Sequence, residues 1–299
     1  MTNFKYPVFI DLRYDFAFKS IFGSQGNEDL LLKLINAILP EKHFTSVSLM
    51  NNEQMGLRKE SRKAVFDVFA TTSDGSDFTI EMQLNDQADF NQRMVFYSSF
   101  PVQNLVKKGK GKDGEPDLYY TFPHVYVIGI TDFIMSGVPD NNEIINSYSI
   151  RNERDPSSSL TDKVTFVTVE LPKLTKTLAE LSSPEDFLFY AIKNIGTMKA
   201  MPKEFKGKGL DKLFELCRFA NMTEAQQRQY IAEMMAKFDE GSRIATAIEK
   251  GKKEGKAEGK AEGESKAKAE VAKNLLAMGL PVETVSKATG LSAEEITAL

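Results

Sequence analysis

The run Val125–Ile130 most constrains how this chain can fold, because it is continuously apolar. A half-buried strand would alternate apolar and polar side chains along its length. A continuous apolar run is instead typical of a central strand that other elements cover on both faces. Such strands occur in sheets that have helices packed against them, so the run predicts a layered α/β domain.

Segments on both sides of this run have the patterns of further strands and helices. Four of them have the alternating or β-rich composition of strands: 65–72, 78–84, 144–151 and 164–171. An apolar-rich helix over 29–39 is predicted to end at Pro40, and a helix over 86–108 is predicted to kink at Pro101. Residues 1–172 are therefore expected to form one α/β domain.

The remainder of the chain has helical patterns. A helical extension is predicted over 173–249, with helices near 184–195, 210–220 and 223–249. In 250–266 a glycine recurs every four residues between Lys and Glu, and each glycine costs a helix about 1 kcal/mol relative to alanine. That segment is expected to be a linker-like helix, or a helix that a closely packed partner stabilises. Residues 267–299, split by Gly279 and Gly290, are interpreted as a small packing or oligomerisation module, since the last helix is short and acidic for a DNA-reading helix-turn-helix.

The sequence lacks the residues that several catalytic classes require. The single cysteine, Cys217, allows neither an intrachain disulfide nor a zinc cluster, and it fits a reducing compartment. His43 and His124 do not lie at metal-ligand spacing. The motifs of the serine-hydrolase elbow and of the phosphate-binding loop are missing. Carboxylates remain as the candidate chemistry.

Hydropathy and charge limit the partners that the chain can have. It contains no 18 consecutive apolar residues and no basic leader before an apolar run, so we expect a cytoplasmic protein without membrane contact. With a net charge of −4, it would bind nucleic acid through local basic patches. Two patches qualify, Arg58–Lys63 and Lys107–Lys112, and in the first Arg62 and Lys63 are candidate phosphate contacts. The alternative is that both patches are solvated loop charges.

Two acids lie in the predicted pair of strands, Asp67 in the first and Glu81 in the second. Glu81 and Gln83 share one face of their strand, opposite an apolar face, so they are expected to face a cleft or solvent. A two-residue Asp74-Gly75 loop would place Asp67 and Glu81 on opposite faces, whereas a three-residue Ser73-Asp74-Gly75 loop would pair them. Paired carboxylates repel each other unless a divalent cation or a shared proton neutralises them, and Mg²⁺ is the natural cation. Otherwise they are two solvated strand acids.

Further motifs surround this acid pair in a fixed order. They are a D-x-x-F-K pattern at Asp15–Lys19, Phe66-Asp67, Glu81-Met82-Gln83 after a glycine turn, an R-x-x-x-Y helix at Arg93–Tyr97, an E-L-P-K element at Glu170–Lys173, and the glycine-repeat tail. This ordered set resembles the Rpn family of recombination-promoting nucleases, also labelled transposases, within the PD-(D/E)XK superfamily. The resemblance covers most of residues 11–264.

The resemblance implies a PD-(D/E)XK, restriction-endonuclease-like α/β core, a mixed sheet flanked by helices, with a helical C-terminal region. It implies that Asp67 and Glu81 are ligands of Mg²⁺ or another divalent cation. Asp15 is implied as an additional catalytic acid, with Glu28 as its rival. The wider superfamily has lysine where this chain has Gln83, and glutamine can orient a water molecule but cannot supply a positive charge.

The function implied by the resemblance is that of a metal-dependent DNA endonuclease of low sequence specificity, associated with recombination or mobile elements. Arg93 and Tyr97 lie four residues apart on one helix face, where they contact a DNA phosphate or simply pair with each other. The alternative is a catalytically weak or inactive module that keeps the nuclease fold, binds DNA or a protein, and oligomerises. In either case the C-terminal helical tail is expected to serve homo-oligomerisation.

Overall fold

The strands of the chain gather mainly in one sheet. The computed structural model describes residues 6–51, 53–54, 64–87, 89–104, 109–110, 116–117, 123–136 and 141–299. Its strands are β1 (Val47–Leu49), β2 (Glu53–Gln54), β3 (Ala64–Val65), β4 (Val68–Thr72), β5 (Asp77–Gln83), β6 (Gly109–Lys110), β7 (Pro116–Asp117), β8 (Val125–Thr131), β9 (Ile145–Ser149) and β10 (Val164–Glu170). Six of them form a mixed sheet in the order β1-β4-β5-β8-β10-β9, in which β8 runs parallel to β5 and β10 and the other neighbours are antiparallel.

The helices cover the sheet and then continue beyond it. They are α1 (Asp15–Phe22), α2 (Glu28–Ile38), α3 (Phe90–Asn104), α4 (Pro184–Asn194), α5 (Asp211–Leu216), α6 (Glu224–Ala277), α7 (Val282–Thr289) and α8 (Ala293–Thr297). Short 3-10 turns lie between them at Leu171–Lys173, Leu178–Glu180, Ile195–Thr197, Lys203–Phe205 and Phe219–Asn221. The prediction of a mixed sheet flanked by helices, with a helical C-terminal region, is confirmed.

The chain divides into two compact units, Met1–Glu233 and Met234–Leu299. The first contains the six-stranded sheet, α1 to α5 and the first residues of α6. The second contains the remainder of α6, together with α7 and α8. None of the helices in the described segments is both long enough and apolar enough to cross a membrane.

The central strands β5 and β8 are buried along their whole length, which corrects one expectation. Glu81 and Gln83 were expected to face a cleft or solvent, but they are only 5% and 7% exposed. The reason is the cover on their face of the sheet. Gly129 of β8 lies beside Glu81, and Phe90 and Met94 of α3 come so close that a Cβ at Gly129 would lie 2.8 Å from the Phe90 ring.

The strand predicted over 65–72 is broken in the structure. β3 ends before Phe66, β4 begins after Asp67, and these two residues belong to neither strand. β3 pairs with β2 in a separate two-stranded ladder, whereas β4 pairs with β5 in the main sheet. Asp67 therefore lies at the point where the chain returns to the main sheet, directly before β4.

A single helix of 54 residues, α6, includes both the helix predicted over 223–249 and the glycine-repeat segment 250–266. Three ion pairs at four-residue spacing lie along the repeat: Lys250–Glu254, Lys260–Glu264 and Glu262–Lys266. Exposed pairs of this kind contribute about 0.3–0.5 kcal/mol each, so they offset only part of the cost of the glycines. A Cβ at any glycine of the repeat would meet no atom within 4 Å.

The last helices form a small core of their own. Ala272, Val285 and Ile296 are buried together, with partly buried leucines packed around them: Leu275, Leu276, Leu280 and Leu291. Leu275, Leu276 and Leu280 therefore already pack within this chain, which leaves fewer apolar side chains here for contact with a second copy. Val271 and Met278 remain largely open, at 49% and 77% exposure.

Candidate active site

Asp67 lies opposite Glu81 because of the register of the β4–β5 hairpin. The first residue of β4, Val68, pairs with Ile80. The strands are joined by a three-residue loop that ends at Gly75, which has the left-handed φ of 83° that such a loop requires. This is the longer of the two loops compatible with the sequence, and it brings the two carboxylates together.

Two hydrogen bonds from backbone N–H groups hold the two carboxylates in place. Oδ2 of Asp67 accepts a hydrogen bond from the N–H of Met82 at 2.8 Å. Oε1 of Glu81 accepts a longer one from the N–H of Asp67 at 3.3 Å. Continuing the hairpin register would pair Met82 with Phe66. The break before β4 replaces that backbone pairing with a carboxylate, which fixes Asp67 beside Glu81.

The environment of the two acids opposes their negative charge. Burial, followed by the charges of Asp15 and Glu233, raises the pKa of Asp67 to about 7 against the opposing effects of the Met82 N–H and Lys19. Burial also raises the pKa of Glu81 well above its ordinary value, followed by repulsion from Asp67. Near neutral pH the pair therefore holds a proton or requires a cation.

Arg93 of α3 lies on the Glu81 side of the pair. Its guanidinium is 3.8 Å from Oε2 of Glu81 and 3.4 Å from Oε1 of Gln83, and it also donates to Gln87. Its centre lies 5.7 Å from the centre of the Tyr97 ring, within cation–π range. Arg93 and Tyr97 therefore do pair with each other. Their contact with a phosphate stays a prediction.

Gln83 is held in a defined orientation beside Glu81. Its side-chain Nε2 donates to the carbonyl of Asn85 at 3.0 Å, while Arg93 binds the other end of the amide. The backbone carbonyl of Gln83 accepts the N–H of Asp132 at 3.0 Å, which ties the ends of β5 and β8 together. The neutral amide is thus placed near the carboxylates but supplies no charge.

Asp15 acts on the pair through its charge, from the first residue of α1. It raises the pKa of both Asp67 and Glu81, although it is itself exposed. The rival acid, Glu28, instead accepts the backbone N–H of Gly26 at 2.9 Å in the loop before α2. The charge of Asp15 thus acts on the acid pair, and its role as the additional catalytic acid stays a prediction.

Glu233 of α6 belongs to this region, although no sequence motif pointed to it. Its carboxylate accepts the backbone N–H groups of Asp15 at 2.9 Å and Phe16 at 3.0 Å, so it caps α1. One turn earlier, the hydroxyl of Tyr230 accepts the N–H of Asp11 at 2.9 Å. The cap spans 218 residues of sequence, a separation at which no local pattern signals contact.

The donor set suits a hard divalent cation. In the described segments, no three His, Cys, Asp or Glu side chains are grouped to hold a metal ion. Mg²⁺ needs fewer, since proteins bind it through one or two carboxylates and leave the other positions to water and phosphate oxygens. Two adjacent carboxylates with raised pKa values fit that requirement. The candidate phosphate contacts Arg62 and Lys63 lie outside the described residues.

The mixed sheet flanked by helices fits an α/β nuclease core, and comparison with protein families agrees. The model described as PD-(D/E)XK nuclease family transposase matches residues 12–247. A second model, described as Rpn/YhgA-like nuclease family, C-terminal HTH domain, matches residues 265–299. The chain has no significant match among curated proteins or among solved structures.

The chain belongs to the Rpn family of transposase-like nucleases in the PD-(D/E)XK superfamily, because the first model covers far more than half of it. The second match assigns residues 265–299 to a helix-turn-helix domain, an interpretation that the short acidic last helix had been taken to disfavour. A role of this tail in packing or oligomerisation stays a prediction.

Proposed function

We propose that this protein is a DNA endonuclease that hydrolyses phosphodiester bonds at Asp67 and Glu81 with a divalent cation, Mg²⁺ being the natural one. The observation that carries the proposal is the acid pair itself. Two carboxylates are buried side by side and fixed by backbone hydrogen bonds, and burial and mutual repulsion oppose their charge. A cation that binds both would remove that repulsion.

The residues around the pair suit this chemistry. A bound Mg²⁺ would supply a Lewis acid that activates water and stabilises charge on the phosphate. Asp67 and Glu81 would hold the cation, with Asp15 as the additional acid. Gln83 would orient the attacking water through its fixed amide, and Arg93 would contact the phosphate from the Glu81 side.

DNA is the proposed partner, with low sequence specificity and a role in recombination or mobile elements. The family description of the first match names transposases, and that of the second names a helix-turn-helix domain. Both descriptions support DNA as the macromolecule that the chain binds. Arg62, Lys63 and Tyr97 are proposed further contacts to the DNA backbone.

The test is nicking of supercoiled plasmid in Mg²⁺ and in EDTA. Asp67→Asn and Glu81→Gln keep the shapes of the side chains and remove one charge each, and we expect both to abolish Mg²⁺-dependent nicking. Glu41→Gln, a matched change at an exposed acid outside the site, should nick at the wild-type rate. Nicking by purified Glu81→Gln at the wild-type rate would place the chemistry elsewhere.

A second candidate function is DNA binding without cleavage, and the neutral Gln83 favours it. In that case the wild type would shift labelled duplex in a binding assay and leave it intact in Mg²⁺. The same pair of measurements, binding and cleavage on one preparation, separates the two functions.

We also propose homo-oligomerisation through α6. Its glycine repeat has open space around it, and the apolar side chains Phe238 and Ile248 are 74% and 52% exposed. Small residues let two helices approach closely, so a second copy of this helix would bury these side chains. Light scattering should give a lower mass for Phe238→Glu than for wild type, and an equal mass would refute the assembly.

A further inference from the structure

The β4–β5 part of the sheet contributes acidic side chains to the site but no positively charged side chain. β4 and β5 contain no Lys or Arg, and Gln83, which follows Glu81 on the same strand face, is neutral. Hydrolysis of a phosphodiester concentrates negative charge on the phosphate oxygens. A positive group held near those atoms is among the most effective stabilisers of such a transition state. The question is which residue outside the sheet supplies it.

Lys19 of α1 lies on the Asp67 side of the pair. It follows Asp15 by one helical turn, so the two side chains share a face of α1. The helix ends at Gly23, which packs so closely on the hairpin that a Cβ there would lie 3.1 Å from the backbone carbonyl of Asp67. Lys19 is half-buried, and the same Cβ would lie 3.4 Å from its Cγ, so the stem of the Lys19 side chain runs beside Asp67.

The ammonium of Lys19 has fewer partners within the described part of the protein than the guanidinium of Arg93. Lys19 forms no ion pair with any residue that the structure describes, whereas Arg93 contacts Glu81, Gln83 and Gln87 at once. Arg93 is thus tied to the protein on the Glu81 side. Lys19 offers a cation on the Asp67 side that is near the acids and open to an incoming anion.

Glu233 fixes the helix that presents Lys19. Its carboxylate caps the N-terminus of α1 through the N–H groups of Asp15 and Phe16. The opposite end of α1 is packed on Asp67 at Gly23. A helix held at both ends keeps a lysine in its middle at a constant distance from the acid pair.

We propose that Lys19 is a catalytic residue of this site, whose ammonium binds the scissile phosphate on the Asp67 side and supplies the positive charge that Gln83 lacks. The proposal rests on the proposed nuclease function. The positively charged side chain then comes from α1, whereas the two acids come from the β4–β5 hairpin and the residue before it.

The test uses single-turnover cleavage of plasmid by the full-length protein in Mg²⁺. Lys19→Gln should lower the cleavage rate about 100-fold or more, the size of loss typical when one charge-stabilising donor is removed. Lys19→Arg should retain most of the rate. Lys206→Gln, the same change at an exposed lysine outside the site, should cleave like wild type.

The decisive variant is the double substitution Lys19→Gln with Gln83→Lys, which moves the charge to the strand. If Lys19 acts through its charge at the phosphate, the double variant should cleave at least tenfold faster than Lys19→Gln alone. If Lys19 had only a structural role, a lysine at position 83 would not restore the cleavage rate. Absence of rescue, or a wild-type rate in Lys19→Gln, overturns the proposal.

These outcomes differ from failure of the proposed function itself. If the wild type shows no Mg²⁺-dependent cleavage, the nuclease function is refuted and the role of Lys19 is refuted with it. If the wild type cleaves and Lys19→Gln cleaves equally fast, only the role of Lys19 is refuted.

Discussion

The backbone N–H of Met82 donates to the carboxylate of Asp67 at 2.8 Å, where an unbroken ladder would offer it the backbone of Phe66. Because the strand is interrupted here, the carboxylate of Asp67 takes the place of a backbone carbonyl as the hydrogen-bonding partner of β5. This bond holds Asp67 beside Glu81. Both acids are then buried, and both have raised pKa values.

The acid pair should make the metal-free protein less stable as pH rises. The folded form keeps the proton of Asp67 up to a pKa of about 7, whereas the unfolded chain releases it near pH 4. Between these values the folded state binds more protons, so its free energy of unfolding falls as pH increases, and the full cost is present above pH 7.

Asp67→Asn removes this cost and keeps an oxygen to accept the Met82 N–H. In EDTA its melting temperature should exceed that of wild type above pH 7, and the difference should shrink as pH falls toward 4. Thermal unfolding followed by circular dichroism measures this, with Glu41→Gln as the matched charge change. A wild-type melting temperature for Asp67→Asn at pH 8 would contradict the assignment of a strained acid pair.

The cap on α1 predicts a loss on changing Glu233. Removing a helix cap typically costs about 0.5–2 kcal/mol, so Glu233→Ala should be destabilised by that order. Cleavage should also slow, because α1 presents Asp15 and Lys19 to the site. Glu224→Ala, a change at an exposed acid of the same helix, is the control and should unfold like wild type. Equal stability of the two variants would mean that the cap contributes nothing.

The close approach of α3 to the sheet predicts the effect of a single methyl group. In Gly129→Ala the new Cβ would lie 2.8 Å from the ring of Phe90 and 3.0 Å from the sulfur of Met94. Such overpacking costs about 1–3 kcal/mol. Gly259→Ala in α6 meets no neighbour and should instead stabilise its helix by up to about 1 kcal/mol. Urea unfolding of both variants measures the contrast, and a Gly129→Ala protein as stable as wild type would show that α3 can shift.

Local patterns in the sequence were enough for the parts of the fold that depend on local physics. The apolar run at 125–130 is the central strand β8, and the Ser73-Asp74-Gly75 loop is one of the two loops that the sequence allowed. The burial of Glu81 could not be predicted from its own strand, because the residues that cover it belong to α3. Gly129 lets α3 approach this closely, and it lies beside Glu81 only because β5 and β8 are paired.

Long-range contacts account for what the sequence could not reveal about the site. Glu233 reaches Asp15 across 218 residues, and no spacing rule connects α6 with α1. The motif D-x-x-F-K marked Lys19 as a matching position, but its placement beside Asp67 depends on how α1 packs on the hairpin. The identity of the tail was missed for another reason. Its last helix is short and acidic, features that a composition argument counts against DNA binding.

Asp67 and Glu81 are proposed to bind one divalent cation together. Calorimetric titration of Mn²⁺ into the metal-free protein at pH 8 measures this binding, with Glu41→Gln as the control variant. We expect one site per chain in wild type and in the control, and loss of that site in both Asp67→Asn and Glu81→Gln. An unchanged Mn²⁺ site in Glu81→Gln would show that the two acids do not share a cation.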